Sequence, residues 1–245
     1  MTKSVSDVLF VTYGDKNFHN SKMLLCNEAH HFGFRKFLVG SPENLPKEFI
    51  EKHKAFFDRS KRGAGYWLWK PFIVNEALKL INENDLLIYL DGGCSINQFG
   101  KERFHEWIDM TEENEILSFQ MSHLPEKDWT KMNLVHKLDC QKEEILNSGQ
   151  INATVFLLKK TPKVCKLISE WLEICSLEWT IDDSTSEIQN DIGFKDHRHD
   201  QSVFSLLRKK YNCFTIEDET YPSKTHDWSD PSVKHVPVLA TRRKF

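Results

Sequence analysis

Short runs that are apolar at successive positions alternate along this chain with stretches whose apolar residues recur every three to four positions. Asp7 to Tyr13, Lys36 to Gly40 and above all Asp85 to Asp91 (DLLIYLD) have the first pattern, which predicts strands buried on both faces. Glu115 to Met121 and Ala153 to Leu158 (ATVFLL) continue the series. Between them, Asn20 to His31, Pro46 to Phe57, Phe104 to Met110, Trp129 to Leu138 and Asp200 to Lys209 read as helices. Two further helices are sharply periodic. One opens at Pro71, with Ile73, Ala77, Leu80 and Ile81 in a single stripe. The other follows Thr161-Pro162, with Val164, Leu167, Ile168, Trp171, Leu172 and Cys175 on one face. In both, proline suits the first turn, where its missing N–H costs nothing. Trp179 to His199 is polar and acidic and predicts a long loop, and from Glu217 onward there is little periodicity. Strands alternating with helices predict an α/β fold, a mainly parallel central sheet covered on both faces.

The chain has 245 residues, with 33 Lys+Arg against 36 Asp+Glu and a formal net charge of -3. That length suits one large domain. The balanced charge argues against nucleic acid as a partner, since such binding relies on clustered cations to displace counterions. No apolar run approaches the roughly 20 residues of a membrane span, so no transmembrane segment is expected. The apolar stretch after Met1-Thr2-Lys3 is too short for a secretory signal. Six scattered cysteines without a Cys-x-x-Cys pair predict reduced thiols and a cytoplasmic location.

In open α/β sheets, ligands gather beyond the carboxyl ends of the strands. That rule selects Thr12-Tyr13-Gly14-Asp15, Asp91-Gly92-Gly93-Cys94 and Met121-Ser122-His123. Gln150-Ile151-Asn152 precedes its predicted strand and needs a separate justification. Asp91 is the sharpest signal, because five apolar residues deliver a carboxylate to a strand end and two glycines then permit close backbone approach. Such a carboxylate can hold Mg²⁺ or Mn²⁺ against a diphosphate; it can equally cap the next turn. The segment RGAGYWLWKP, Arg62 to Pro71, combines a tight backbone, the flat faces of Trp67 and Trp69, and the cations Arg62 and Lys70, which suit phosphate. It lacks the Gly-Lys-Ser/Thr ending of a phosphate-binding P-loop. Asp196 to Ser202 offers His199, Asp200 and Gln201 to sugar hydroxyls, although Asp200 or Ser202 can simply cap the following helix. His197 and His199 have no partner at the usual zinc spacing.

Together RGAGYWLWKP, IYLDGGCSIN (Ile88 to Asn97), QINATVFLLKKTP (Gln150 to Pro162) and HRHDQSVFSLL (His197 to Leu207) resemble the nucleotide-sugar-dependent glycosyltransferases of the A-type fold, in particular small bacterial and viral polysaccharide-type enzymes. The resemblance implies a single Rossmann-like domain over 1–245. Residues 1–98 would form the nucleotide-donor half, 99–216 the sugar and acceptor half, and 217–245 a tail over the donor. It implies transfer of a sugar from a nucleoside-diphosphate donor to a glycan or other hydroxyl acceptor, with retention favoured over inversion. Implied donor contacts are Thr12, Tyr13, Arg62, Trp69, Lys70, Gly92, Gly93, Gln150, His199 and Gln201. Asp91, Asp200 and Asn152 are the implied catalytic groups, and Arg242 or Arg243 a further source of charge. The family's Asp-x-Asp holds a divalent metal, manganese or magnesium. Here Gly93 stands at the second position, so Asp91 takes help from elsewhere, His226 being the candidate, or cations neutralise the diphosphate instead. A non-catalytic binding protein of the same fold and a sugar nucleotidyltransferase are the alternatives.

Overall fold

The computed structural model describes residues 3–60, 62–221 and 231–245. Its centre is a six-stranded sheet in the order β2-β1-β3-β6-β5-β7. The strands are β1 (Leu9–Tyr13), β2 (Lys36–Gly40), β3 (Leu86–Asp91), β5 (Ile116–Pro125), β6 (Gly149–Lys159) and β7 (Thr215–Glu217). β4 (Ser95–Ile96) pairs with β8 (Val238–Leu239) in a separate two-stranded ribbon. β1 runs parallel to β2 and β3, and β5 parallel to β7, while β6 is antiparallel to both its neighbours. The sheet is therefore mainly parallel, with β6 alone reversed.

Alternation along each strand divides the core into two layers. Val11, Tyr13, Leu87, Tyr89, Phe156 and Leu158 face one side, toward helices Trp69–Lys79, Pro162–Cys175 and Asp200–Lys210. Phe10, Leu86, Ile88, Leu90, Val155 and Leu157 face the other, toward helices His19–Phe32 and Lys101–Asn114. Burying strands on both faces is what makes them read as continuous apolar runs. The helix after Thr161 begins as its sequence predicts: the Thr161 hydroxyl accepts from Val164 N at 3.3 Å, and Pro162 occupies the first turn.

Some expected boundaries move. Pro46 to Phe57 forms two short helices, Lys47–Lys52 and Lys54–Arg59, broken at His53. Trp129 to Leu138 likewise divides, into Glu126–Trp129 and Met132–Lys137. β5 continues four residues past Met121 through a register shift, so His123 belongs to a strand. Gln150, Ile151 and Asn152 lie inside β6 rather than before it. Because β6 is antiparallel to β3, with Leu90 opposite Val155, its first residues project past the carboxyl end of β3. The reversed strand brings its beginning to the rim where the parallel strands end. Among the described residues no helix is long and apolar enough to cross a membrane, and all six cysteines are free thiols.

Candidate active site

A cleft of about 570 Å³ opens over that rim. Its walls include Tyr13, Arg62, Trp69, Lys70, Asp91, Gly92, Gly93, Asn152, His199, Asp200 and Gln201, all selected from the sequence. Thr12, in contrast, is fully buried within β1, and Gln150 is fully buried behind Gln201, whose Nε2 donates to Gln150 Oε1 at 2.8 Å. Gln150 supports a residue of the cleft without lining it. His226 lies outside the described residues.

One ammonium organises the floor. Lys70 Nζ lies 3.1 Å from Asp91 Oδ1 and 3.2 Å from Asp200 Oδ2, and donates to the Ala153 carbonyl at 3.2 Å. Lys70 is 3% exposed and is fully committed, so it holds two carboxylates in place and does not present itself to phosphate. Burial works to lower its pKa, but the charges of Asp200 and Asp91 outweigh this and hold the ammonium above its ordinary value. Tyr89 Oη adds a hydrogen bond to Asp91 Oδ1 at 2.8 Å. Burial pushes the Asp200 carboxyl up to about 6, with Lys70 opposing and Asp91 reinforcing the rise. Asp200 Oδ2 makes no hydrogen bond of normal geometry among the described residues. Asp91 is the more open of the two, its side chain 30% exposed against 5%.

Lys70 reaches this position through a left-handed turn. Gly63, Ala64, Gly65, Tyr66 and Trp67 all have positive φ, with Ala64 at 52°. Left-handed backbone costs about 1–2 kcal/mol for each non-glycine residue, so this turn is held by its surroundings. Tyr66 Oη donates to Asp183 at 2.7 Å, and Arg62 reaches Asp183 and Asp196, each at 3.2 Å. Trp69 Nε1 donates to the Gly63 carbonyl at 2.9 Å, and its ring stacks on Tyr13 at 3.8 Å. His199 stacks near Trp67 at 5.3 Å, and its Nδ1 contacts the Ile181 carbonyl oxygen at 2.7 Å. Burial lowers the His199 pKa, which favours the neutral ring. The acidic loop thus serves to clamp the turn, and Arg62 is engaged by it.

The glycines after Asp91 have a use the sequence did not disclose. A Cβ on Gly92 would stand 2.8 Å from the Tyr13 carbonyl, and one on Gly93 would stand 3.0 Å from the Arg243 carbonyl. The close approach is by the chain's own C-terminal segment: Arg243 N donates to the Gly93 carbonyl at 2.8 Å. Arg243 turns away to a two-point ion pair with Glu28, whereas Arg242 and Lys244 line the cleft. The position of the family's second carboxylate is therefore covered by tail backbone. Asp91 already shares Oδ1 between Tyr89 and Lys70, and no group of three potential ligands assembles among the described residues. The described residues thus offer a cation one carboxylate, Asp91, and His226, the other expected ligand, lies outside them.

Asp218 was missed. It follows the short β7, lines the cleft, and accepts from Asn152 Nδ2 at 3.0 Å and from Thr220 N at 2.8 Å. Burial raises its pKa. The strand-end rule would have found it had Thr215–Glu217 been recognised as a strand, but three residues of mixed polarity give no periodic signal. Arg198, Met121 and His123 also face the cleft.

No protein-family model and no curated protein matches the sequence. Solved structures do match. A glycosyltransferase involved in glycosylation of the major capsid of PBCV-1 superposes with a TM-score of 0.51 at 13% identity, over 95% of this chain and 92% of that one. The fold is that of the A-type glycosyltransferases. The bifunctional glycosyltransferase WbbM gives a TM-score of 0.50 at 12% identity, over 88% of this chain, which spans 39% of WbbM. At such identities the likeness establishes architecture, and activity has to be argued from the site.

Proposed function

We propose that the chain is a glycosyltransferase that moves a sugar from a nucleoside-diphosphate donor to an acceptor hydroxyl. The observation that carries this reading is the pair Asp91 and Asp200, locked by one buried ammonium at the carboxyl rim of this fold, beside a Tyr13–Trp69 aromatic platform. In the reaction, the bond between the anomeric carbon and the diphosphate oxygen breaks while that carbon bonds to the acceptor oxygen. Positive charge develops on the sugar, and the fixed carboxylates stabilise it without reorganising. Gln201 orients sugar hydroxyls, while Asn152, its amide engaged by Asp218, Thr220 and the backbone N–H groups of Thr154 and Val155, holds Asp218 at the cleft. Arg242 and Lys244, which form no ion pair among the described residues, meet the negative charge of the leaving diphosphate. This arrangement supplies by side chains the charge that a metal supplies in an Asp-x-Asp enzyme.

The acceptor proton passes to the departing diphosphate on the same face, and the sugar configuration is retained. Asp200, at 3% exposure, is poorly placed to exchange a proton with bulk water. A second reading, inversion with Asp200 as base, draws on its carboxyl being pushed up to about 6, close to working pH. The anomeric configuration of the product, read by NMR, decides between them.

The test is turnover of UDP-, GDP- and TDP-sugars with EDTA and with Mn²⁺. Release of nucleoside diphosphate in EDTA supports the reading, and release only with Mn²⁺ removes the role given to Arg242 and Lys244. Binding without turnover across the panel means a non-catalytic protein, and pyrophosphate release from a nucleoside triphosphate means a nucleotidyltransferase.

A further inference from the structure

A second cavity, of about 600 Å³, lies at the far end of the helix that Asp200 begins. Its walls include Gln120, Lys142, Lys209, Lys210, Cys213 and Arg208. Arg208 is fully buried, yet none of its three guanidinium nitrogens finds an oxygen acceptor among the described residues; the polar group beside it is the Cys213 thiol, a weak acceptor. Its guanidinium carbon lies 4.3 Å over the Phe204 ring and 5.7 Å from that of Phe156. Ring faces offset part of the charge but supply no acceptor oxygens. Burial lowers its pKa to about 10, so the group remains a cation at neutral pH. The nearby cations are partly spoken for: Lys209 pairs with the buried Glu126, and Lys142 and Glu144 lie 3.8 Å apart. The other acid of the wall, Asp139, makes no ion pair with Arg208.

Burying a cation without an acceptor costs several kcal/mol, a penalty that a bound anion offsets with its own charge and oxygens. We infer that this cavity is a binding site for a small organic or inorganic oxyanion, carboxylate or phosphate, with Arg208 as its principal partner. Gln120 and Lys142 belong to the same wall and can add donors to a bound anion. The guanidinium nitrogens are closed to water as they stand, so pairing requires Arg208 to rotate into the cavity it walls. The site is separate from the cleft and independent of the transfer reaction.

Cys213, half-buried in the same wall and in contact with Arg208, gives a local readout, taken in each variant as the ratio of labelling with and without the anion because Arg208 itself affects the thiol. Its alkylation by iodoacetamide is followed by peptide mass spectrometry, with inorganic phosphate, glucuronate or glucose present, and with Cys26 as remote control. Phosphate, glucuronate or both should slow labelling of Cys213 several-fold without affecting Cys26, and the pattern names the preferred oxyanion. Glucose should do nothing. Arg208→Met should abolish the protection and Arg208→Lys, which keeps charge but loses the fork, should weaken it. Absence of protection in the native chain, equal protection by glucose, or protection undiminished in a folded Arg208→Met protein overturns the inference.

Discussion

Two buried cations pack on the same side of this sheet and meet opposite fates. Lys70 stands between two carboxylates and a carbonyl, whereas Arg208, two helical turns beyond Asp200, rests on aromatic rings with no oxygen acceptor among the described residues. A buried charge is stable in a fold only when something answers it. Lys70 is answered internally, and the result is a rigid pair of carboxylates facing a cleft. Arg208 is left to be answered from outside. The same physics therefore makes one cation a positioning group and the other the mark of a site.

The largest expected effect belongs to the carboxylate that Lys70 holds toward the cleft. Asp91→Ala should lower the transfer rate on the order of 10²–10³-fold, as loss of a preorganised electrostatic partner does elsewhere. Its melting temperature should stay close to native, because Asp91 is the most open member of the trio. Turnover near the native value would remove Asp91 from the mechanism.

Urea denaturation gives the direct contrast between the cations. Lys70→Met leaves Asp91 and Asp200 uncompensated and should destabilise by about 3–5 kcal/mol. Arg208→Met removes an unanswered charge and should leave stability unchanged or raise it. Similar losses in both variants would show that Arg208 is satisfied in solution.

Acid titration sharpens the Lys70 side. The Asp200 carboxyl sits at about 6 in the folded chain against an ordinary 3.8, so the folded state binds this proton more tightly than the unfolded. Its contribution to stability is greatest below the lower value and declines as pH rises through the upper one. Asp200→Asn should remove that decline from the dependence of melting temperature on pH. If the proposed transfer holds, kcat/KM of the native chain should climb through about pH 6 as Asp200 ionises. A flat profile would mean that its charge state does not matter to transfer.

The smallest effect concerns the tail. Gly93→Ala places a Cβ 3.0 Å from the Arg243 carbonyl, and the backbone there must shift. A loss of about 1 kcal/mol is expected, together with weaker binding of nucleoside diphosphate as Arg242 moves. Unchanged stability and affinity would show that the tail does not depend on this contact.

Much of this molecule is written locally. β2 runs from Lys36 to Gly40 as its apolar run indicates, β3 ends on Asp91, and the helix after Thr161-Pro162 starts at its cap. Successive apolar residues and capping chemistry act within a few residues, so the chain order of strands, helices and strand-end carboxylates can be read before folding. Asp91, Trp69, Asp200 and Gln201 were accessible in that way, and all line one cleft. Partnership is different in kind. That Lys70 serves Asp91 and Asp200, that Gly93 admits the tail, that β6 reverses to bring Asn152 to the rim, and that Arg208 meets no oxygen acceptor among the described residues are relations between residues far apart in the chain. Periodicity cannot encode them, because a charge acquires its role only from the groups that share its low-dielectric surroundings once the layers close.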